Sequence, residues 1–166
     1  MRVTFTLNGR ETHADVAPGA TLMELLRGQG TVSVKDGCAR GDCGSCAVLL
    51  DGRAVTACLL FAGQVEGRRL TTAEGLADEV GLHPLQQALL EAGGVQCGFC
   101  TPGILMAAKE LLDREPAPTH QQIRVGLAGN LCRCTGYTKI VEGVHDAAAM
   151  LASTRPHAGA EGSDDD

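Results

Sequence analysis

The chain has 166 residues, with 14 Lys plus Arg against 20 Asp plus Glu, for a formal net charge of −6. Half of that charge lies beyond Ser153, where Arg155 faces Glu161, Asp164, Asp165 and Asp166, so the body has neither the basic surface of a nucleic-acid binder nor a strongly acidic one. No apolar run reaches membrane-spanning length and no basic-then-apolar leader opens the chain, which points to a cytoplasmic protein without a membrane span.

Val3, Phe5 and Leu7 alternate with polar residues, and Asn8-Gly9 reads as a type I′ turn, so Glu11 to Val16 is the returning strand of a hairpin. Pro18-Gly19 breaks that strand, and Thr21 caps a short helix through Leu22, Leu25 and Leu26. Ala47 to Leu50 is an apolar strand, Asp51-Gly52 a tight turn, Arg53 to Leu59 its return, and Val65 to Leu70 one more strand. A strand pair, a crossing helix and further strands describe an α+β sheet with a helix laid across it.

From about Thr72 the period becomes helical. Leu76 to Val80 reads as a helical turn, and Pro84 to Ala92 carries Leu85, Leu89 and Leu90 on one face. Thr101 reads as an N-cap with Pro102 at the first helical position, opening a helix through Ile104, Leu105, Ala108, Leu111 and Leu112. Thr119 to Gln122 is a capping box ahead of Ile123 and Leu127, and Ile140, Val144, Ala147, Ala148 and Leu151 form the last apolar face. Four helices with short connections predict an all-α second part. The division is therefore an α+β domain over 1–74, a helical domain over 75–152 and a disordered acidic tail over 153–166. Met23 and Met106 are core residues, and His13, His83, His120, His145 and His157 are dispersed surface or capping residues.

With no Trp and only four aromatic residues the core is modest, and small scaffolds commonly need staples. Eight cysteines are the candidates: Cys38, Cys43, Cys46, Cys58, Cys97, Cys100, Cys132 and Cys134. A disulfide framework suits an exported domain. Two structural zinc sites fit the count but not the irregular spacing of the first group. Redox dithiols at Cys43-Gly44-Ser45-Cys46 and Cys97-Gly98-Phe99-Cys100 would leave four cysteines unused. The spacing Cys38-x₄-Cys43-x₂-Cys46 with a distant Cys58 is that of plant-type [2Fe–2S] proteins. Gly37, Gly41 and Gly44 interleave these ligands, where a loop wrapped round a cluster turns sharply and aims N–H groups at sulfur. The second group, Cys97-x₂-Cys100 and Cys132-x-Cys134, suits zinc as well as iron by spacing alone, and falls at corners between helical segments. Arg40, Lys35, Arg133 and Lys139 are candidates to soften the added charge on cluster reduction, with a solvated surface charge the equal alternative for Lys35 and Lys139. No phosphate loop, nucleophile elbow or paired carboxylates mark a substrate site, so the chemistry is electron transfer, and two clusters in series suit a wire better than a diffusing carrier.

Three segments, Asp36-Gly37-Cys38-Ala39-Arg40-Gly41-Asp42-Cys43-Gly44-Ser45-Cys46, Gln96-Cys97-Gly98-Phe99-Cys100-Thr101-Pro102-Gly103 and Asn130-Leu131-Cys132-Arg133-Cys134-Thr135-Gly136-Tyr137, resemble the iron–sulfur subunit of the xanthine oxidase family of molybdenum hydroxylases. Carbon monoxide, nicotinate and quinoline dehydrogenases and aldehyde oxidoreductases carry similar subunits. The likeness leaves out only the tail. It implies a β-grasp, plant-ferredoxin-like N-terminal domain followed by a four-helix-bundle domain, with a [2Fe–2S] cluster in each. It implies that the second cluster lies beside a molybdopterin cofactor on a large subunit, with Gln96 and Cys134 approaching the pterin. The first cluster would face the FAD of a medium subunit, in a heterotrimer or a dimer of heterotrimers. Enzymes of this type hydroxylate a carbon with oxygen from water and pass the electrons singly to flavin. A stand-alone two-cluster ferredoxin and a zinc-stapled interaction module are the alternatives.

Overall fold

The computed structural model describes residues 1–154. Strands β1 (Arg2–Leu7) and β2 (Arg10–Asp15) pair antiparallel, with Val3 opposite Ala14 and Phe5 opposite Thr12. Asn8 and Gly9 turn between them at φ 50° and 81°, the left-handed pair that a type I′ turn demands. Val3 and Phe5 point inward, where full burial of a large apolar side chain contributes about 1.5–3 kcal/mol.

Helix α1 (Leu22–Gly28) begins with a reciprocal cap: Glu24 N–H donates to Thr21 Oγ1 at 3.1 Å, and Thr21 N–H donates to the Glu24 carboxylate at 2.7 Å. Strands β3 (Ala47–Leu50) and β4 (Arg53–Thr56) form a second hairpin, and β5 (Arg69–Thr71) inserts parallel to β1 and antiparallel to β3. The sheet order is β2-β1-β5-β3-β4. Strand β3 is buried on both faces: Val48 and Leu50 pack with Val3, Phe5, Leu70 and α1, whereas Ala47 and Leu49 join the core of the helical part.

That helical part comprises α2 (Pro84–Glu91), α3 (Thr101–Arg114), α4 (His120–Gly126) and α5 (Thr138–Thr154) around Leu85, Leu89, Ile104, Met106, Ile123, Leu127, Ile140 and Val144. A side chain at Gly143 would stand 3.1 Å from both the Ala88 carbonyl oxygen and Leu89 Cα, so glycine brings α5 close against α2. Arg53 on β4 pairs with Glu110 on α3 at 2.8 Å across the junction.

Several local expectations are corrected. The return strand stops at Thr56 rather than Leu59, and Cys58 lies in a 3₁₀ turn, Ala57–Leu59, where the Ala57 N–H donates to the Cys46 carbonyl at 3.2 Å. The chain must leave the sheet there to bring Cys58 back to Cys46. The strand expected from Val65 begins only at Arg69, because the Gly67 N–H bonds the Thr4 carbonyl and the Arg68 N–H bonds the Val65 carbonyl. Leu76 to Val80 is not helical, since the Asp78 carboxylate takes the N–H groups of Val80 and Gly81 at 2.8 and 3.1 Å, a local bond that competes with helix formation. Cys100, not Thr101, occupies the N-cap of α3. Helix α5 runs through Ser153 to Thr154, into the stretch expected to be a disordered tail, and the rest of that tail lies outside the described residues.

His83 caps α2, its Nδ1 accepting from the Leu85 N–H at 3.1 Å. Burial and then Lys109 lower its pKa, against the opposing pull of Asp113 and Asp78. The neutral ring is thus favoured by folding, so this stability is complete above the ordinary histidine value, about 6.5, and is lost as pH falls through the lowered folded value. Thermal unfolding on either side of that pH should show a smaller acid loss for His83→Ser, whose hydroxyl caps in both conditions.

Candidate metal centres

All eight cysteines are unbridged, and they gather as the two groups the spacing suggests. In the first, Cys38 meets Cys43, and Cys46 meets Cys58. Cys38, Cys43 and Cys46 come from the loop between α1 and β3, and Cys58 from the 3₁₀ turn after β4. In the second, Cys97 and Cys134 stand with sulfurs 3.6 Å apart, and Cys100 contacts Cys132. Cys97 and Cys100 precede α3, while Cys132 and Cys134 lie between α4 and α5.

Among the described residues no three His, Cys, Asp or Glu side chains converge so as to hold a single metal ion. Each quartet instead stands as two thiol pairs, the donor arrangement that a two-iron unit takes up. A cavity of about 580 Å³ is lined by Cys97, Cys100, Cys132 and Cys134, with Arg133 and Tyr137, and by Gly37, Cys43 and Ser45 of the first loop. The two cysteine loops therefore share a wall.

The thiols differ in acidity with burial and with the donors around them. The Arg40 N–H, then the N–H and thiol of Cys43, bring Cys38 down to about 7. Burial pushes Cys46 up to about 11, with the charges of Cys58 and Cys43 adding to it. Burial, reinforced by Cys132, pushes Cys100 up to about 12. Burial opposes the Cys132 thiolate, yet the Thr135 hydroxyl and the N–H groups of Thr135 and Cys134 outweigh it and bring that thiol to about 7. The contact with Cys97 raises Cys134. Thiolates crowded together repel, and a cationic centre relieves that repulsion while expelling the protons.

The interleaved glycines have different tasks. Gly41 and Gly44 take φ +85° and +68°, which an L side chain rarely adopts. Gly37 does not turn left-handed; a methyl there would stand 2.9 Å from the Cys43 sulfur, so its task is clearance. Of the expected charge partners, Arg133 lines the cavity, but Arg40 pairs with Asp42 at 3.3 Å and Lys139 with Glu142 at 2.9 Å. Lys35 donates its backbone N–H to Ser45. Gln96 is exposed beside Cys97, and Cys134 is exposed as well.

Sequence reasoning gave no role to Gly103, Asn130, Leu131, Thr135 or Tyr137. The Leu131 N–H donates to the Cys43 carbonyl at 2.9 Å, and Asn130 Nδ2 to the Gly44 carbonyl at 3.1 Å. A methyl at Gly103 would stand 2.2 Å from that same Gly44 oxygen. The Thr135 hydroxyl donates to the Cys132 sulfur at 3.0 Å. Their one sequence signal is proximity to the cysteines.

Comparison with known proteins places the chain in a family. Residues 5–77 match the description "2Fe-2S iron-sulfur cluster binding domain", and residues 72–145 match "[2Fe-2S] binding domain". The nicotinate dehydrogenase small FeS subunit of Eubacterium barkeri is 45% identical over 152 residues, covering 91% of this chain and 97% of that protein. The xanthine dehydrogenase iron-sulfur-binding subunit of Escherichia coli O157:H7 is 51% identical over 143 residues, covering 85% and 90%. This chain belongs to the iron–sulfur small subunits of the xanthine dehydrogenase family of molybdenum hydroxylases. As a small subunit of that family it is part of an oxidoreductase complex. It also superposes on the crystal structure of quinoline 2-oxidoreductase from Pseudomonas putida 86 with a TM-score of 0.89, at 41% identity, covering 92% of this chain and 96% of that one. Among the described residues of this small subunit, no helix is long and apolar enough to cross a membrane.

Proposed function

We propose that this small subunit relays single electrons from a molybdopterin centre on a large subunit, through two [2Fe–2S] clusters, to FAD on a medium subunit. Cys38, Cys43, Cys46 and Cys58 would hold the first cluster, and Cys97, Cys100, Cys132 and Cys134 the second. The thiol contacts support Cys38 with Cys43 on one iron and Cys46 with Cys58 on the other, then Cys97 with Cys134 and Cys100 with Cys132. Each cluster, when bound, supplies reversible one-electron transfer at a potential tuned by hydrogen bonds and burial.

The observation that carries this reading is the 2.9 Å hydrogen bond from the Leu131 N–H to the Cys43 carbonyl. It joins the residue before one ligand, Cys132, directly to a ligand of the other quartet. Arg133 adds a positive charge to the wall of the cavity, where each arriving electron adds a negative one. Gln96 and Cys134, both exposed, are the residues we assign to the molybdopterin side. Leu59 and Phe61, exposed beside the first quartet, are assigned to the flavin side.

In this reading residues 1–74 are a β-grasp ferredoxin-like domain, and the sheet order β2-β1-β5-β3-β4 with α1 across it supports that. Residues 75–152 are a four-helix bundle built from α2 to α5. The assembly is a cytoplasmic heterotrimer or a dimer of heterotrimers. Elemental analysis of the complex purified through a tag on this chain tests the proposal. About four iron atoms per chain, together with molybdenum, are expected. Iron without molybdenum would indicate a stand-alone two-cluster ferredoxin, and zinc in place of iron a stapled interaction module; either result overturns the relay.

A further inference from the structure

Tyr137 adopts φ 69°, directly after Gly136 at φ 64°. Left-handed backbone is strained in a bulky residue, so the surrounding contacts must hold it there. They do so through the phenol, which is half-buried and doubly bonded. Tyr137 Oη accepts from the Cys132 N–H at 2.8 Å and donates to the Asn130 carbonyl at 3.1 Å. The ring thereby braces both ends of the tripeptide Asn130-Leu131-Cys132. The same loop closes on Cys132 from its other side, since the Tyr137 N–H donates to Thr135 Oγ1 at 3.3 Å and Thr135 donates to the Cys132 sulfur.

Each residue of the braced tripeptide has a separate task. Asn130 sends its buried amide to the Gly44 carbonyl, Leu131 sends its N–H to the Cys43 carbonyl, and Cys132 belongs to the second quartet. We infer that the Tyr137 hydroxyl is a positioning group that holds the two cysteine loops in register and so sets the electronic coupling between the two clusters. The inference rests on the relay reading above. Tyr137 hydrogen-bonds the backbone of Asn130 and Cys132 and the Thr135 hydroxyl, so it acts through the peptide that links one loop to the other. A phenol recruited only to fill space would need one hydrogen bond to be satisfied. This one closes a bridge across the segment that carries both inter-loop bonds.

The test compares the full chain, in its assembled complex and loaded with clusters, as wild type, Tyr137→Phe and Asn130→Ala. Iron per chain is measured first, and then the magnetic interaction between the clusters in the fully reduced protein, read as splitting of the low-temperature electron paramagnetic resonance lines. Tyr137→Phe keeps the ring and loses only the hydroxyl, so iron should stay at the wild-type level while the splitting narrows. Asn130→Ala leaves the tyrosine untouched and removes the Gly44 bond, so the splitting should narrow there too. Unchanged splitting with full iron in both variants overturns the inference and leaves the relay intact. Lower thermal stability with unchanged splitting likewise overturns it, because a purely structural tyrosine would behave that way. Absence of iron from the wild-type complex overturns this inference and the relay together.

Discussion

Cys43→Ser should halve the iron content of the purified complex, from about four to about two atoms per chain, and abolish one of two cluster signals. Cys43 pairs with Cys38, and its charge also acts on Cys46. Serine keeps the volume but supplies no thiolate at neutral pH, and a hydroxyl is a poor iron ligand beside three sulfurs. Cys46 and Cys58, both buried, would be left with their charge demand unmet. Because metal–thiolate bonding is part of the folding free energy of small metallo-domains, the loop from Gly37 to Cys46 should also lose protection from proteases. On the order of centres proposed above, substrate should still reduce the molybdenum side, but reoxidation through flavin should stop. Cys134→Ser is the converse experiment, since it should remove the second cluster and interrupt transfer at its first step. Iron analysis, spectra of the reduced complex and substrate-driven bleaching separate the two variants. Native iron content in soluble Cys43→Ser would contradict the assignment of that ligand.

What could be read from the sequence was local. The type I′ turn at Asn8-Gly9, the N-cap at Thr21, the capping box at Thr119 and the helix begun at Pro84 all follow from residues within a few positions of each other, and each is present. That the cysteines gather in two sets was also legible, because three of the four in the first set lie on one short loop. Features set by distant contacts were not. Strand β5 is only three residues long and owes its register to β1 and β3, which no pattern within Val65 to Leu70 announces. Cys58 leaves its strand because Cys46, twelve positions earlier in the chain, must be met. Lys139 looked available to a cluster, yet Glu142 lies one helical turn away and takes it. The Asn130 amide and the Tyr137 phenol sat inside a recognisable motif, but what they hold is the other half of the molecule.

Gly103→Ala should destabilise the chain, although the same change in an open helix stabilises it by about 0.5–1 kcal/mol. Gly103 is in the first turn of α3, just after Cys100, and a methyl group there would lie 2.2 Å from the Gly44 oxygen and 3.1 Å from Ser45 Cα. Relief would require the first cysteine loop to retreat. It is held, however, because the Gly44 carbonyl also accepts from Asn130 Nδ2 and from the Ala47 N–H, both at 3.1 Å. The loop is also packed closely behind Gly44, where a Cβ would meet the Gly129 oxygen at 2.4 Å. Overpacking of this kind costs about 1–3 kcal/mol, which in a domain of this size lowers Tm by about 2–4 °C per kcal/mol. Gly28→Ala supplies the opposite sign: Gly28 ends α1 at negative φ with nothing within 4 Å of its missing side chain, so that change should leave Tm unchanged or raise it. Thermal unfolding followed by circular dichroism measures both. A rise in Tm for Gly103→Ala would mean that the two loops are further apart than described, and the contact between Gly103 and Gly44 would no longer explain why glycine occupies both positions. A fall in Tm together with weakened magnetic interaction between the clusters would tie the stability of this junction to the electron path that crosses it.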